Sequence, residues 1–94
     1  MANDPKVEAL YFALTGIIDS VDKAPAKERD NFVPMAMADQ LNVLRQQAIP
    51  FVKFSELVPA AVQRGTLGFS VIRYVDRRTF AMQIRDMLPY EMTV

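Results

Sequence analysis

The sequence predicts an all-α fold, a compact single domain of three to four helices over residues 1–94, and three observations support this prediction. Apolar residues recur at steps of three and four over residues 4–21, which places them on one face of a helix. Residues 31–48 repeat the pattern more narrowly. Apolar residues make up 51% of the chain, which is enough for the core of one small domain.

The first predicted helix has the clearest pattern and matching end signals. Asp4 can cap its first turn, and Pro5 at the first helical position loses no hydrogen bond there. Pro25 disfavours helical geometry in Ala24, so we expect the helix to end between residues 22 and 24. Gly16 inside it indicates either a closely approaching neighbouring helix or a kink. The residues of its apolar face are Val7, Leu10, Leu14, Ile17 and Val21, and Tyr11 and Ile18 widen this face.

Two further helices are expected in the middle of the chain. The second should run from about Asn31 to Ala48, with Pro34 tolerated in its first turn. Its apolar seam is Met37, Leu41, Leu44 and Ala48. The third should begin at Ser55 and reach about Arg64, and it should be short or bent because Pro59 removes a hydrogen bond.

Residues 67–88 allow more than one structure. One long helix is favoured, because no Gly, Pro or Asn interrupts residues 69–88. The alternative is a short strand within 67–75 followed by a helix, which would make the fold α+β, since this segment is rich in residues that favour strands. A hairpin that turns at residues 76–78 is a third option. Over residues 80–88, Phe80, Ile84, Met87 and Leu88 share one helical face.

The composition argues against most catalytic chemistry. The chain contains no cysteine and no histidine, so the usual zinc ligands and nucleophile–base pairs are missing. We therefore expect no enzyme activity, no metal site and no cofactor. The net charge of zero argues against holding nucleic acid by bulk charge alone. No apolar run reaches the roughly 20 residues of a membrane span, and no signal peptide is recognisable, so we expect a cytoplasmic protein that does not bind membranes.

Protein–protein binding is the function that these features favour. Met82 lies opposite the apolar face of the last helix, which suggests that this helix is covered on a second side, either by another subunit or by the rest of its own chain. The sequence thus predicts a small adaptor, accessory or regulatory protein that forms a homodimer and binds a protein partner, plausibly an acidic one. The expected binding surface consists of Tyr74, Arg77, Arg78, Met82 and Arg85.

The alternative hypothesis is a helix-turn-helix DNA-binding transcriptional regulator. Ala61 and Gly65 lie four residues apart, as the small residue and the turn glycine of such motifs often do. A second helix near residues 71–74 would then direct basic side chains toward phosphates. The residues that would bind nucleic acid are Arg73, Arg77 and Arg78.

Overall fold

Three α-helices and a small two-stranded antiparallel sheet form the fold in a computed structural model, which describes residues 3–91. The prediction of a mainly helical domain is confirmed, and the strand that the α+β alternative placed within residues 67–75 is present. The elements are α1 (Pro5–Lys23), β1 (Phe32–Pro34), α2 (Met35–Ala48), β2 (Phe69–Arg73) and α3 (Tyr74–Met87), with short 3-10 helices at Ala26–Asp30, Ile49–Phe51 and Ser55–Leu57.

Helix α1 has the predicted bounds and the predicted caps. The Asp4 carboxylate accepts a hydrogen bond from the backbone N–H of Lys6 at 2.8 Å, and Pro5 occupies the first turn. Ala24 is extended before Pro25, as the steric effect of proline requires. The buried residues of α1 are Val7, Leu10, Leu14, Ile18 and Val21, so Ile18 replaces Ile17 at the centre of the apolar face.

Helix α2 begins four residues later than predicted. Residues 32–34 form strand β1 instead of a first helical turn, and Pro34 is extended, with a ψ of 144°. The strand pairs with β2 in a register that sets Phe32 against Arg73 and Pro34 against Phe69. The core face of α2 consequently consists of Met35, Ala38, Leu41 and Ala48, while Met37 and Leu44 of the predicted seam are half-buried.

The predicted helix over residues 55–64 is wrong. Only Ser55–Leu57 form a 3-10 turn, and the chain then runs on without a helix to residue 65. Side chains of α2 hold this segment, because Arg45 Nε donates to the carbonyl of Pro59 at 2.7 Å. The Asn42 amide also bonds to both the N–H and the C=O of Val62, at 2.8 and 3.1 Å. These contacts satisfy backbone groups that a helix would otherwise pair.

The favoured single helix over residues 67–88 is also wrong, and the alternative of a strand followed by a helix is correct. Strand β2 ends at Arg73, and α3 begins at Tyr74. The Asp76 carboxylate accepts a hydrogen bond from the backbone N–H of Arg73 at 3.0 Å, which fixes the start of α3. An acceptor three residues into a helix stabilises that end in the same way as in a capping box.

The core lies where α1, α2 and α3 meet beneath the sheet. Leu14, Leu41 and Ile84, one from each helix, are fully buried, and Val33 of β1 joins them. Ser70 is buried within β2 and donates a hydrogen bond to the carbonyl of Val33 at 2.8 Å. The chain ends of the described region also meet, because the Asn3 amide bonds to both the N–H and the C=O of Glu91.

Two glycines have opposite surroundings, and a pair of alanine substitutions should show this. At Gly16 an added Cβ would meet no neighbouring atom of residues 3–91 within 4 Å, so the predicted close approach of a helix is not found there. At Gly65 the same atom would lie 3.0 Å from the carbonyl oxygen of Ser70 and 3.2 Å from that of Phe69. Both neighbours of Gly65 are backbone atoms, which cannot move without disturbing the hairpin.

We expect Gly16→Ala to raise the free energy of unfolding by about 0.5–1 kcal/mol, because alanine is the better residue inside a helix. Gly65→Ala should lower it by about 1–3 kcal/mol, because overpacking forces backbone shifts. Urea denaturation of the two variants in parallel measures both effects, and each variant is the control for the other. Equal changes in the free energy of unfolding of the two variants, in the same direction, would contradict the structure at Gly65.

Candidate protein-binding surface

A tight turn at residues 66–69 carries the most unusual residue of the structure. The N–H of Phe69 donates to the carbonyl of Thr66 at 3.0 Å, and both central residues have positive φ, 55° at Leu67 and 80° at Gly68. Two positive φ values are typical of a type I′ turn, which favours Asn-Gly. Leucine is strained in this conformation, and the Leu67 side chain is 94% exposed.

The turn connects residues 63–65 to β2, so that β2 is paired on both of its edges. Gly65 N–H donates to the carbonyl of Phe69 at 2.8 Å, and Val71 N–H donates to the carbonyl of Gln63 at 3.2 Å. On the other edge, β2 pairs with β1. This double pairing holds the strand and the Leu67 turn on the rest of the molecule.

The solvent side of this sheet is apolar. Side chains alternate along a strand, and in β2 Ser70 points into the core while Phe69 and Val71 are exposed. Exposed Phe32 of β1 joins them, and the Arg73 guanidinium lies 4.5 Å from the centre of the Phe32 ring. We call this surface the outer sheet face. It consists of Phe32, Leu67, Phe69, Val71 and Arg73.

A shallow cavity joins the apolar members of the outer sheet face into one surface. Phe32, Leu67, Phe69 and Val71 all line it, and its volume is about 550 Å³. Contiguous exposed apolar surface of this kind marks binding sites in proteins that fold alone. The arrangement can bury a partner's apolar side chains.

Charged groups of both signs lie at the edge of the outer sheet face. Arg73 donates to the backbone carbonyl of Asp30 and stacks on Phe32, while the Asp76 carboxylate contacts the Arg73 backbone. Arg64 of the neighbouring strand segment is exposed, but it pairs with Ser70, so its side chain leaves the sheet on the side opposite to the outer sheet face. The Arg73 guanidinium and the Asp76 carboxylate therefore lie at one end of the apolar centre.

A larger groove, of about 650 Å³, lies between α1 and the end of α2. Its walls include Leu10, Ala13, Leu44 and Phe51. No residue with strained backbone and no unpaired buried polar group marks this groove within residues 3–91. We therefore place the candidate site at the outer sheet face.

The five residues of the predicted binding surface do not form one exposed patch. Arg78 is paired with Asp22 of α1 at 2.6 Å, and Arg85 lies over the Tyr11 ring at 5.6 Å. Tyr74 donates to the Met37 sulfur at 3.6 Å. Met82 is half-buried against the core of its own chain, and Arg77 is buried. Binding through these residues stays a prediction, but most of their contacts are made within the chain.

The structural premise of the helix-turn-helix hypothesis is not met. Residues 57–74 contain the end of a 3-10 turn, an irregular segment, the Leu67 turn and β2, not two helices. The three proposed phosphate contacts are separated, since Arg73 lies on Phe32, Arg77 is buried and Arg78 is paired with Asp22. Nucleic-acid binding stays a prediction that no contact described here favours.

The described residues hold no cluster that could coordinate a metal. No group of three or more Asp, Glu, His or Cys side chains comes together within residues 3–91. In the same region, none of the helices is both long and apolar enough to cross a membrane.

Sequence reasoning missed the outer sheet face because two of its parts lie far apart in the chain. The sequence predicts that Phe32 lies at the start of a helix and that Phe69 and Val71 lie in one long helix. The alternation of apolar and polar residues at 69–71 is typical of a strand, but it predicts that Phe69 and Val71 are buried and Ser70 is exposed, which is the reverse of what the structure shows. The two glycines of residues 65–68 indicate a cap and a tight connector, but no local signal indicates positive φ at Leu67, because leucine rarely takes it.

Comparison with known proteins does not assign this chain to a family. No protein-family model, no curated protein and no solved structure matches the chain.

Proposed function

We propose that this chain is a small accessory or regulatory protein that acts by binding protein rather than by catalysis. We further propose that it forms a homodimer, with the outer sheet face of one copy packed on that of the second. The observation that supports this proposal most is Leu67, an apolar side chain that is 94% exposed on a strained turn.

The strain at Leu67 is the first step of the argument. A residue held in a sparsely populated backbone region costs about 1–3 kcal/mol, and such residues cluster at functional sites. Asn or Gly at position 67 would avoid this cost. Burial of a leucine by a partner contributes about 1.5–3 kcal/mol. The strain at Leu67 is therefore offset only when another molecule buries this side chain.

The charges around the face support a second copy as the partner. The border holds the Arg73 guanidinium and the Asp76 carboxylate, so a two-fold arrangement can set the arginine of one copy against the aspartate of the other. The chain has no net charge, so two copies do not repel each other at long range.

The size of the molecule is compatible with this pairing. A stable interface buries about 800 Å² on each partner, which is roughly one-eighth of the 6146 Å² accessible surface of this chain. The outer sheet face with its charged border offers an apolar centre and a polar rim, which is the usual anatomy of an interface.

Sedimentation equilibrium over a wide concentration range tests the proposal. The wild-type chain should dimerise, and Leu67→Asn should raise the dimer dissociation constant at least tenfold, since each 1.4 kcal/mol of lost burial corresponds to a factor of ten. The same substitution creates an Asn-Gly turn, so the monomer should become more stable by about 1 kcal/mol. A weaker dimer built from a more stable monomer cannot result from misfolding.

Leu57→Asn is the matched control, because Leu57 is also a highly exposed leucine, at 68%, but does not line the cavity of the outer sheet face. This variant should leave the dissociation constant unchanged. A wild-type chain that stays monomeric at all concentrations, or equal weakening by both variants, would refute the proposed dimer.

A further inference from the structure

A second cavity lies on another part of the molecule, between the C-terminal half of α1 and the first turns of α3. Its volume is about 360 Å³. Its polar lining comes from Ser20, Glu28, Asn31, Tyr74 and Arg77, and its apolar walls include Val21 and Met37. It is therefore a mixed site of a size that suits a small organic molecule.

Arg77 is the unusual member of this cavity. Its side chain is only 7% exposed, and its Nε is buried with no acceptor within hydrogen-bond distance among residues 3–91. No carboxylate of the described region lies within 4.0 Å of it either, in contrast to Arg78, which pairs with Asp22. Burial lowers the pKa of the Arg77 guanidinium, although arginine stays charged at neutral pH.

A buried cation without a counter-charge is costly to a folded protein. Water can fill hydrogen bonds in such a cavity, but it does not neutralise the charge. An anion that enters the cavity neutralises the charge, and the terminal N–H groups of the guanidinium fork, which are not among its buried atoms, match a planar carboxylate through two parallel hydrogen bonds.

We propose that this cavity binds a small organic carboxylate, which is held by the guanidinium of Arg77. Glu28 lines the same cavity and repels a second negative charge, so a monoanionic carboxylate fits better than a dianionic phosphate. Ser20 and Asn31 can bond to polar groups of the ligand. The Tyr74 ring and Met37 cover its apolar part.

Titrations of the full chain followed by two-dimensional ¹⁵N–¹H NMR test this site. The probes are sodium benzoate, sodium acetate and inorganic phosphate, with sodium chloride at matched ionic strength. Benzoate should cause saturable shifts of the amides near residues 20–21, 31 and 74–77, and it should bind more tightly than phosphate. Chloride should cause no saturable shift.

Variants of Arg77 assign the interaction. Arg77→Met should weaken benzoate binding at least tenfold, and Arg77→Lys should weaken it less, because it keeps the charge but loses the fork. Arg78→Met is the matched control, since Arg78 is the neighbouring arginine and does not line the cavity. It should bind benzoate like the wild type. Glu28→Gln should bind both benzoate and phosphate more tightly than the wild type does.

Several results would overturn the proposal. One is the absence of saturable shifts with either carboxylate in the wild-type chain, which needs no variant. Tighter binding of phosphate than of benzoate would be another. If Arg77→Met does not fold, unchanged benzoate affinity in Arg77→Lys decides against the site. Equal loss of thermal stability in Glu28→Gln and Arg77→Met would show that Glu28 itself neutralises Arg77, which also refutes it.

Discussion

Replacing Asn42 by alanine is expected to lower the free energy of unfolding by about 2–4 kcal/mol. The Asn42 amide is the only described side chain that bonds to Val62, and it pairs both backbone groups of that residue. The substitution leaves an N–H and a C=O of Val62 without partners, at a cost of about 1–2 kcal/mol each, because both hydrogen bonds are only partly buried. Loss of these two hydrogen bonds should also detach from α2 the segment that leads into the Leu67 turn.

Hydrogen exchange can separate this local effect from a general loss of stability. In Asn42→Ala the amides of Gly65 and Val71, which pair across the hairpin, should lose more protection than those of α1. Asn42→Asp is the matched variant, because its carboxylate still accepts from Val62 N–H but cannot donate to the carbonyl. Asn42→Asp should lower the free energy of unfolding by about half as much as Asn42→Ala does. A uniform loss of protection would contradict a local clamp.

Leu14→Ala is expected to lower the free energy of unfolding by about 3 kcal/mol. Leu14 of α1 is completely buried and belongs to the cluster that also contains Leu41 and Ile84. Truncation of a buried leucine removes its transfer free energy and leaves a cavity, and such changes cost about 2–5 kcal/mol. Chemical denaturation followed by circular dichroism measures the change directly.

Leu57→Ala is the control for this core prediction, because it removes the same atoms from a side chain that is 68% exposed. Its expected effect is within about 0.5 kcal/mol, as for most surface substitutions. A similar loss in both variants would mean that Leu14 is not at the centre of the core.

The sequence predicted α1 well because every signal for that helix is local. Its cap, its first proline, its apolar face and its terminating proline lie within 22 consecutive residues, from Asp4 to Pro25. None of these features depends on a distant part of the chain. The single shift, from Ile17 to Ile18 in the core, reflects where α2 and α3 happen to approach.

The predictions from sequence were wrong where contacts between distant residues determine the backbone conformation. Residues 59–62 lack a helix because Asn42 and Arg45 bond to their backbone, and no local pattern indicates those bonds. Residues 69–73 form a strand because Phe32–Pro34 pair with them, although the same residues could also form a helix. A strand of five residues depends more on its partner than on its own propensity.

The candidate site was predicted less well than the fold for the same reason. Arg77 and Arg78 were assigned to an exposed face because arginine is usually exposed, but α1 covers the first and pairs with the second. The outer sheet face combines residues that lie more than 30 positions apart in the chain. Only the register between β1 and β2 brings Phe32 beside Phe69 and Val71.

The packing of α1 against α3 constrains how this chain can fold during synthesis. The first and last helices share one core, and the Asn3 amide bonds to the backbone of Glu91. Until the ribosome has synthesised α3, the apolar face of α1 lacks its native contacts with that helix. The native core can therefore close only after α3 has been synthesised.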